Sequence, residues 1–119
     1  MRPVVGKHCI VNTGASVGHD AQLDDFVHVA PHATITGGVT IGEGTWIGAG
    51  TVVKQGIHIG RWCMIGAGSV VVDDIPDGVM AFGNKCKPMK LVNQDMIKMN
   101  EMGGVILSLS KSLTLKFCA

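Results

Sequence analysis

The amino-acid sequence predicts an all-β protein, a parallel β-helix of about four coils with a C-terminal extension, and three observations support that prediction. An aliphatic residue recurs at every sixth position from Val5 to Val71 without a slip. Four places after each one comes a residue that fits inside a core, such as Cys9, Ala15 or Ala33. Glycine is abundant, with 17 in 119 residues, while aromatic residues make up only 4%. A helix repeats every 3.6 residues and a strand every 2, so neither explains a strict period of six.

Each six-residue unit is predicted to form one short strand and one turn, with glycine easing the turn, and three units complete a coil. Residues 18 apart then stack at the strand spacing of ~4.8 Å, which places four coils in residues 5–76. The interior of such a coil is a narrow prism that admits few aromatic rings. The low aromatic content is therefore a consequence of the predicted fold.

The chain divides near residue 84, into a β-helix domain over 1–84 and a C-terminal extension over 85–119. Val92, Met96 and Met99 form a weak helical stripe within 88–102, which predicts a short helix. Residues 107–117 alternate apolar and polar side chains, the pattern of a half-buried strand. We expect this strand to cap the last coil, because a solenoid must cover its open end.

The composition excludes several classes of function. A net charge of +1 gives no electrostatic footprint for nucleic acid. No segment approaches the ~20 apolar residues that span a bilayer, and the N-terminus lacks the apolar run of a signal peptide, so we expect a cytoplasmic protein. Cys9 and Cys63 both point inward, three coils apart, which fits a reduced compartment.

Stacking by 18 assigns each outward side chain to one of three faces. Strands predicted at 8–11, 26–29, 44–47 and 62–65 share the first face. Its outward residues include Phe26, His28, Trp46, Trp62 and Met64, which we call the apolar wall. An exposed apolar wall marks an interface. Because the second face carries small side chains, the sequence predicts a closed homotrimer in which this wall packs near a neighbour's slim face.

His19 lies at the corner between the second and third faces and is followed by Asp20. Gly37 stacks directly above His19, which predicts open space over the imidazole. An accessible histidine that is oriented by a carboxylate is what a general base requires. The alternative is an ordinary surface pair of histidine and aspartate.

Two further features concern ligands. The corner Ile47-Gly48-Ala49-Gly50 recurs as Ile65-Gly66-Ala67-Gly68, and we call these two the slim corners because their side chains are small. Small side chains either let a thin ligand reach the backbone or merely permit the turn. No two histidines stand at a multiple of 18 on one wall, so the sequence predicts no metal site.

The motif Gly18-His19-Asp20, followed by Phe26-Val27-His28, resembles the hexapeptide-repeat acetyltransferases of bacterial surface-sugar synthesis. The resemblance extends from residue 6 to about 84 and is to the branch of sialic acid O-acetyltransferases, UDP-amino-sugar (bacillosamine) N-acetyltransferases and perosamine N-acetyltransferases. It implies a left-handed coil. It also implies acetyl-CoA as the co-substrate and a nucleotide-activated amino sugar as the acceptor.

By the same resemblance, His19 matches the catalytic base and Asp20 the acidic residue that tunes it. His28 matches a histidine that lines the acetyl-CoA site from the trimer interface. Three small residues match positions whose backbone contacts the co-substrate: Gly37, Ala49 and Ala67.

The sequence departs from the family at both ends. It begins directly in the repeats, where family members usually begin with a small α/β domain, and residues 83–87 read Gly-Asn-Lys-Cys-Lys instead of Gly-Asn-Pro-Ala-Lys. Despite these departures, the resemblance implies an acetyltransferase that acts on an amino or hydroxyl group of a nucleotide sugar. The alternative hypothesis is a catalytically idle β-helix that serves as a binding or assembly module.

Overall fold

The computed structural model of the protein describes residues 2–92, and this part of the chain consists of short β-strands with no helix. Twelve two-residue strands recur every six residues: β1 Val4–Val5, β2 Ile10–Val11, β3 Ser16–Val17, β4 Gln22–Leu23, β5 His28–Val29, β6 Thr34–Ile35, β7 Thr40–Ile41, β8 Trp46–Ile47, β9 Val52–Val53, β10 His58–Ile59, β11 Met64–Ile65 and β12 Val70–Val71. Two longer strands follow, β13 (Val79–Phe82) and β14 (Lys87–Leu91). The predicted all-β class and six-residue period are confirmed.

The strands form three parallel sheets along the sides of a coil. Sheet A contains β1, β4, β7 and β10, and sheet C contains β3, β6, β9 and β12. Sheet B contains β2, β5, β8 and β11, followed by β13 and β14. Ile10 pairs with His28, His28 with Trp46, and Trp46 with Met64. The predicted stacking by 18 and the solenoid of about four coils are therefore confirmed, while the left-handed sense stays a prediction.

The core is a column of inward side chains. Ile47, Val53 and Ile59 are 0% exposed. The buried threonines of this column are satisfied by the backbone, since Thr45 Oγ1 donates to the carbonyl of Gly60 at 2.6 Å and Thr51 Oγ1 to that of Gly66 at 3.1 Å. Polar residues are tolerated here because each hydroxyl has an acceptor.

The strands are shorter than predicted. We expected four-residue strands such as 8–11 and 26–29, but residues 8, 26 and 62 lie in turns. His8, Phe26 and Trp62 have positive φ angles of 57°, 62° and 54°. The residue at this point of each unit adopts the left-handed conformation that closes the turn, which glycine tolerates best. Phe26 and Trp62 thus belong to a corner next to sheet B, and only His28, Trp46 and Met64 of the apolar wall stand on its strands.

The first coil is less buried than the sequence pattern predicts. Val5 and Val11 occupy inward positions, yet they are 46% and 43% exposed. Among residues 2–92, no coil lies beneath them to cover the prism. These inward positions are exposed because nothing among the described residues covers that end of the coil.

The opposite end is closed. β13 continues sheet B in parallel with β11, and β14 returns antiparallel to β13. Cys86 is 3% exposed and packs into the core. The helical stripe predicted from residue 88 is wrong at its start, because Pro88 to Leu91 form part of β14. The rest of that stripe and the strand predicted at 107–117 lie outside the described residues.

No helix within residues 2–92 is long and apolar enough to cross a membrane.

Candidate active site

The turns between sheets form three columns of corners along the coil. We call them the A–B corners (6–9, 24–27, 42–45 and 60–63), the B–C corners (12–15, 30–33, 48–51 and 66–69) and the C–A corners (18–21, 36–39 and 54–57). Equivalent positions in one column are 18 residues apart and therefore stack. The candidate site is built from the C–A and B–C corners.

His19 and Asp20 meet at the lowest C–A corner. The Nδ1 atom of His19 lies 3.3 Å from Oδ2 of Asp20, and the two side chains are 66% and 49% exposed. Asp20 holds the positive-φ position of the turn, with φ of 59°, a conformation that aspartate adopts more readily than most residues. The carboxylate therefore orients the ring by Nδ1 and leaves Nε2 free for chemistry.

Gly37 lies against the imidazole. A Cβ atom at Gly37 would lie 2.7 Å from Cε1 and 2.8 Å from Nε2 of His19. The prediction that the space above His19 is empty is therefore wrong. The imidazole itself fills the space that the missing side chain of Gly37 leaves. The carbonyl of His19 also accepts the N–H of Gly38 at 2.9 Å, which ties the two coils together at this point.

The B–C column contains the two slim corners. The carbonyl of Ala49 accepts the N–H of Gly68 at 2.8 Å, so the corners at 48–51 and 66–69 stack directly. Within residues 2–92, the N–H groups of Ala49, Ala67 and Gly37 donate no hydrogen bond. Open amides at stacked corners can receive oxygen atoms of an extended ligand.

Two of the A–B corners use the same position differently. The N–H of Lys7 donates to Oδ1 of Asp25 at 2.7 Å, and the N–H of Arg61 donates to Oδ1 of Asp77 at 2.8 Å. In both cases the aspartate belongs to the coil above. These amides are therefore capped by protein, unlike those of Ala49 and Ala67.

His28 lies on sheet B. Its ring centroid is 5.5 Å from that of Trp46 at an interplanar angle of 49°. Burial lowers the pKa of His28 from its ordinary value of 6.5, so the ring is neutral near pH 7. The neighbouring Trp46 Nε1 is buried and has no partner among the described residues.

Cys63 and Cys86 have no features of a nucleophile. Burial raises the pKa of the Cys63 thiol, and it raises that of Cys86 to about 11. Both remain protonated near neutral pH, whereas the thiolate is the reactive form. No group of three or more histidine, cysteine or carboxylate side chains within residues 2–92 is placed to hold a metal ion.

Comparison with known families agrees with this architecture. Residues 38–73 match the family described as bacterial transferase hexapeptide (six repeats). The chain therefore contains hexapeptide repeats.

Among the proteins similar to this hexapeptide-repeat chain are acyltransferases named for nucleotide sugars. The acyl-[acyl-carrier-protein]–UDP-N-acetylglucosamine O-acyltransferase of Aliivibrio fischeri is 36% identical over 84 residues, 71% of this chain and 32% of that protein. A solved histidine variant of Caulobacter crescentus perosamine N-acetyltransferase, in complex with CoA and GDP-perosamine, is 40% identical with a TM-score of 0.72, covering 73% of this chain and 41% of that chain. The acetyltransferase domain of PglB from Neisseria gonorrhoeae, in complex with acetyl coenzyme A, is 42% identical with a TM-score of 0.69, covering 74% and 46%.

The chain spans less than half the length of each of these proteins. The matches confirm the predicted resemblance to hexapeptide-repeat acetyltransferases, and to perosamine N-acetyltransferases among them.

The structure brings the predicted site residues of this hexapeptide-repeat chain into three groups. His19, Asp20 and Gly37 meet at the C–A corners, while Ala49 and Ala67 stack at the B–C corners. His28 stands on sheet B, on another side of the coil from His19. Sequence reasoning missed which corner amides are capped. A signal was present, because Asp25 follows Lys7 by 18 residues, as Ala67 follows Ala49.

Proposed function

We propose that the protein is an acetyl-CoA-dependent acetyltransferase whose acceptor is the amino group, or alternatively a hydroxyl group, of a nucleotide-activated sugar. The observation that carries this proposal is the exposed His19 ring held at Nδ1 by Asp20, beside the open amide of Gly37. The solved relatives bind CoA with GDP-perosamine, or acetyl coenzyme A. A base next to exposed backbone donors suits the transfer of an acyl group from a thioester.

The chemistry requires one base and no covalent acyl-enzyme. The sugar amine attacks the thioester carbonyl carbon, and Nε2 of His19 takes the proton that the amine loses. The carbon–sulfur bond then breaks, and the CoA thiolate leaves and receives the proton from His19. Asp20 keeps the proton of neutral His19 on Nδ1 and stabilises the imidazolium between these two steps.

The open amides are proposed to hold the acetyl donor. The N–H of Gly37 lies in the same column as His19 and suits a thioester oxygen on which negative charge develops. The N–H groups of Ala49 and Ala67 are one coil apart, a spacing that suits the pantetheine arm. His28, neutral through burial, would line the same co-substrate site.

A homotrimer would unite these groups, since His28 and His19 stand on different sides of one coil. The proposed interface is the apolar wall, which includes Phe26, Trp46, Trp62 and Met64 beside His28. Trp46 Nε1 on this wall is buried without a partner among the described residues. This favours an interface, because buried donors in native proteins are nearly always hydrogen-bonded and a neighbouring subunit could supply the acceptor. The cytoplasmic location predicted from the sequence belongs to the same proposal, because both substrates are cytoplasmic metabolites.

The test is a thiol-release assay with acetyl-CoA and a panel of amino-sugar nucleotides. We expect His19→Ala to lower kcat by roughly 10²- to 10⁴-fold, the usual contribution of a general base. His58→Ala, which removes a histidine from sheet A outside both columns of the candidate site, serves as the matched control and should retain the wild-type rate.

Equal rates for wild type and His19→Ala would show that His19 is not the base. If the wild-type protein also gives no heat when titrated with acetyl-CoA, it is the idle binding module instead of an enzyme.

A further inference from the structure

Gly37, in the coil above, lies against the edge of the His19 imidazole that bears Nε2. We propose that Gly37 is a positioning residue for His19: the absence of its side chain lets the imidazole keep its contact with Asp20. This inference rests on the proposed function, because it concerns the base of that reaction. It differs from the proposed contact between the Gly37 backbone and the acetyl donor, since it assigns a role to the missing Cβ.

The geometry leaves the ring little freedom on this side. A Cβ at Gly37 would stand 2.7 Å from Cε1, 2.8 Å from Nε2 and 3.3 Å from Cδ2 of His19. Carbon atoms in contact are normally 3.5–4.0 Å apart, so a methyl group and the present ring position are incompatible. The ring would have to turn away, and the 3.3 Å contact between Nδ1 and Asp20 Oδ2 would be lost.

The backbone of Gly37 does not itself require glycine. Gly38, Gly56 and Gly14 have positive φ angles of 72°, 76° and 73°, but Gly37 is not among the positive-φ residues. The atoms nearest to an added Cβ all belong to the His19 side chain. Alanine is therefore compatible with the backbone at this position. The substitution would instead change the orientation of the His19 imidazole.

Other glycines in the described chain have different reasons. A Cβ at Gly18 would stand 2.8 Å from the backbone nitrogen of Gly37, so that glycine is required by the close approach of two coils. Gly78 lies outside the C–A and B–C corners, has nothing within 4 Å of an added Cβ and carries a positive φ of 69°. Gly78→Ala therefore strains the backbone without touching His19 or Gly37, which makes it the matched control.

The first experiment compares steady-state kinetics and stability of the full chain. Gly37→Ala should lower kcat roughly a hundredfold, the cost of misplacing a catalytic group by about 1 Å, while the KM for acetyl-CoA and the urea midpoint stay at wild-type values. Gly78→Ala should show the reverse, with a lower urea midpoint and an unchanged kcat. In a His19→Ala background, Gly37→Ala should cause no further loss of kcat.

A further loss in the His19→Ala background, or a raised KM for acetyl-CoA, would overturn the proposal and would assign Gly37 a direct contact with the co-substrate only.

A second measurement does not depend on activity. In the wild-type protein, the NMR spectrum should show a nuclear Overhauser effect between the Cε1 proton of His19 and the Hα protons of Gly37. Gly37→Ala should abolish it. If the effect is absent from the wild type, or the Cε1 proton of His19 keeps it with the Hα of Ala in Gly37→Ala, Gly37 does not position the ring, whether or not the protein is an acetyltransferase.

Discussion

The capped A–B corners at Lys7 and Arg61 and the open B–C corner at Ala49 have the same backbone design but are completed in opposite ways. In each, a glycine precedes the corner amide and allows the next coil to approach closely: Gly6 and Gly60 in the A–B column, and Gly48 in the B–C column. At the A–B corners, aspartates of the coil above accept the amides of Lys7 and Arg61. At the B–C corner, the equivalent residue above Ala49 is Ala67, which has no acceptor to offer.

On the proposed function, this difference separates corners that serve only the fold from corners that bind the co-substrate. Capping an amide with a carboxylate stabilises a turn, because the donor no longer depends on water. An uncapped amide gives up that stabilisation and keeps a donor available for a ligand. At Lys7 and Ala49, the side chain stacked 18 residues further along the chain decides between these two states.

The largest expected effect comes from closing an open corner. Ala67→Asp places a carboxylate above Ala49 as Asp25 stands above Lys7, so it should accept the Ala49 N–H and block the proposed pantetheine path. The KM for acetyl-CoA should rise about tenfold to a hundredfold, as expected when a hydrogen bond of about 1.5–3 kcal/mol is replaced. Ala67→Ser, which adds a small neutral side chain, is the control for bulk. An unchanged KM in Ala67→Asp would mean that the co-substrate does not use this corner.

Opening a capped corner is the converse experiment. Asp25→Ala removes the acceptor of the Lys7 N–H, and we expect the free energy of unfolding to fall by about 1 kcal/mol. Urea unfolding measures this loss, and Asp25→Asn, which keeps the side-chain oxygen, should recover most of it. The kinetics with acetyl-CoA should be the same for all three proteins. Wild-type stability in Asp25→Ala would remove the distinction between capped and open corners.

The smallest expected effect concerns His28, next to the B–C corners on sheet B. Its pKa is lower in the folded protein than in the unfolded chain because of burial. Below a pH of about 6.5 the unfolded chain therefore binds more protons, so the free energy of unfolding should fall as the pH drops and level off below the folded-state pKa. Unfolding curves at several pH values should show this decline, and it should be weaker in His28→Gln. An equal decline in both proteins would contradict the burial of His28.

Much of this architecture could be predicted from sequence, because a strict period determines which residues stack. The 18-residue register and the adjacency of His19 and Asp20 needed no coordinates. The exposure of Val5 and Val11 could not be read from the period, which treats every coil as if it had neighbours on both sides.

Side-chain placement was harder to predict than register. His19 occupies the space left by Gly37 because of the rotamer of its ring. A stacking pattern does not determine rotamers. The positive φ of Phe26 and Trp62 was missed because these residues occupy a position where glycine is commoner.

The central claim is that the acetyl donor binds at corners whose amides lack a protein acceptor. A crystal structure of the protein with bound CoA tests it most directly. The account predicts that oxygen atoms of the pantetheine arm lie within hydrogen-bonding distance of the N–H groups of Ala49 and Ala67, with the sulfur atom beside a His19 imidazole. CoA bound along the capped corners at Lys7 and Arg61, or with its sulfur remote from every His19, would contradict it.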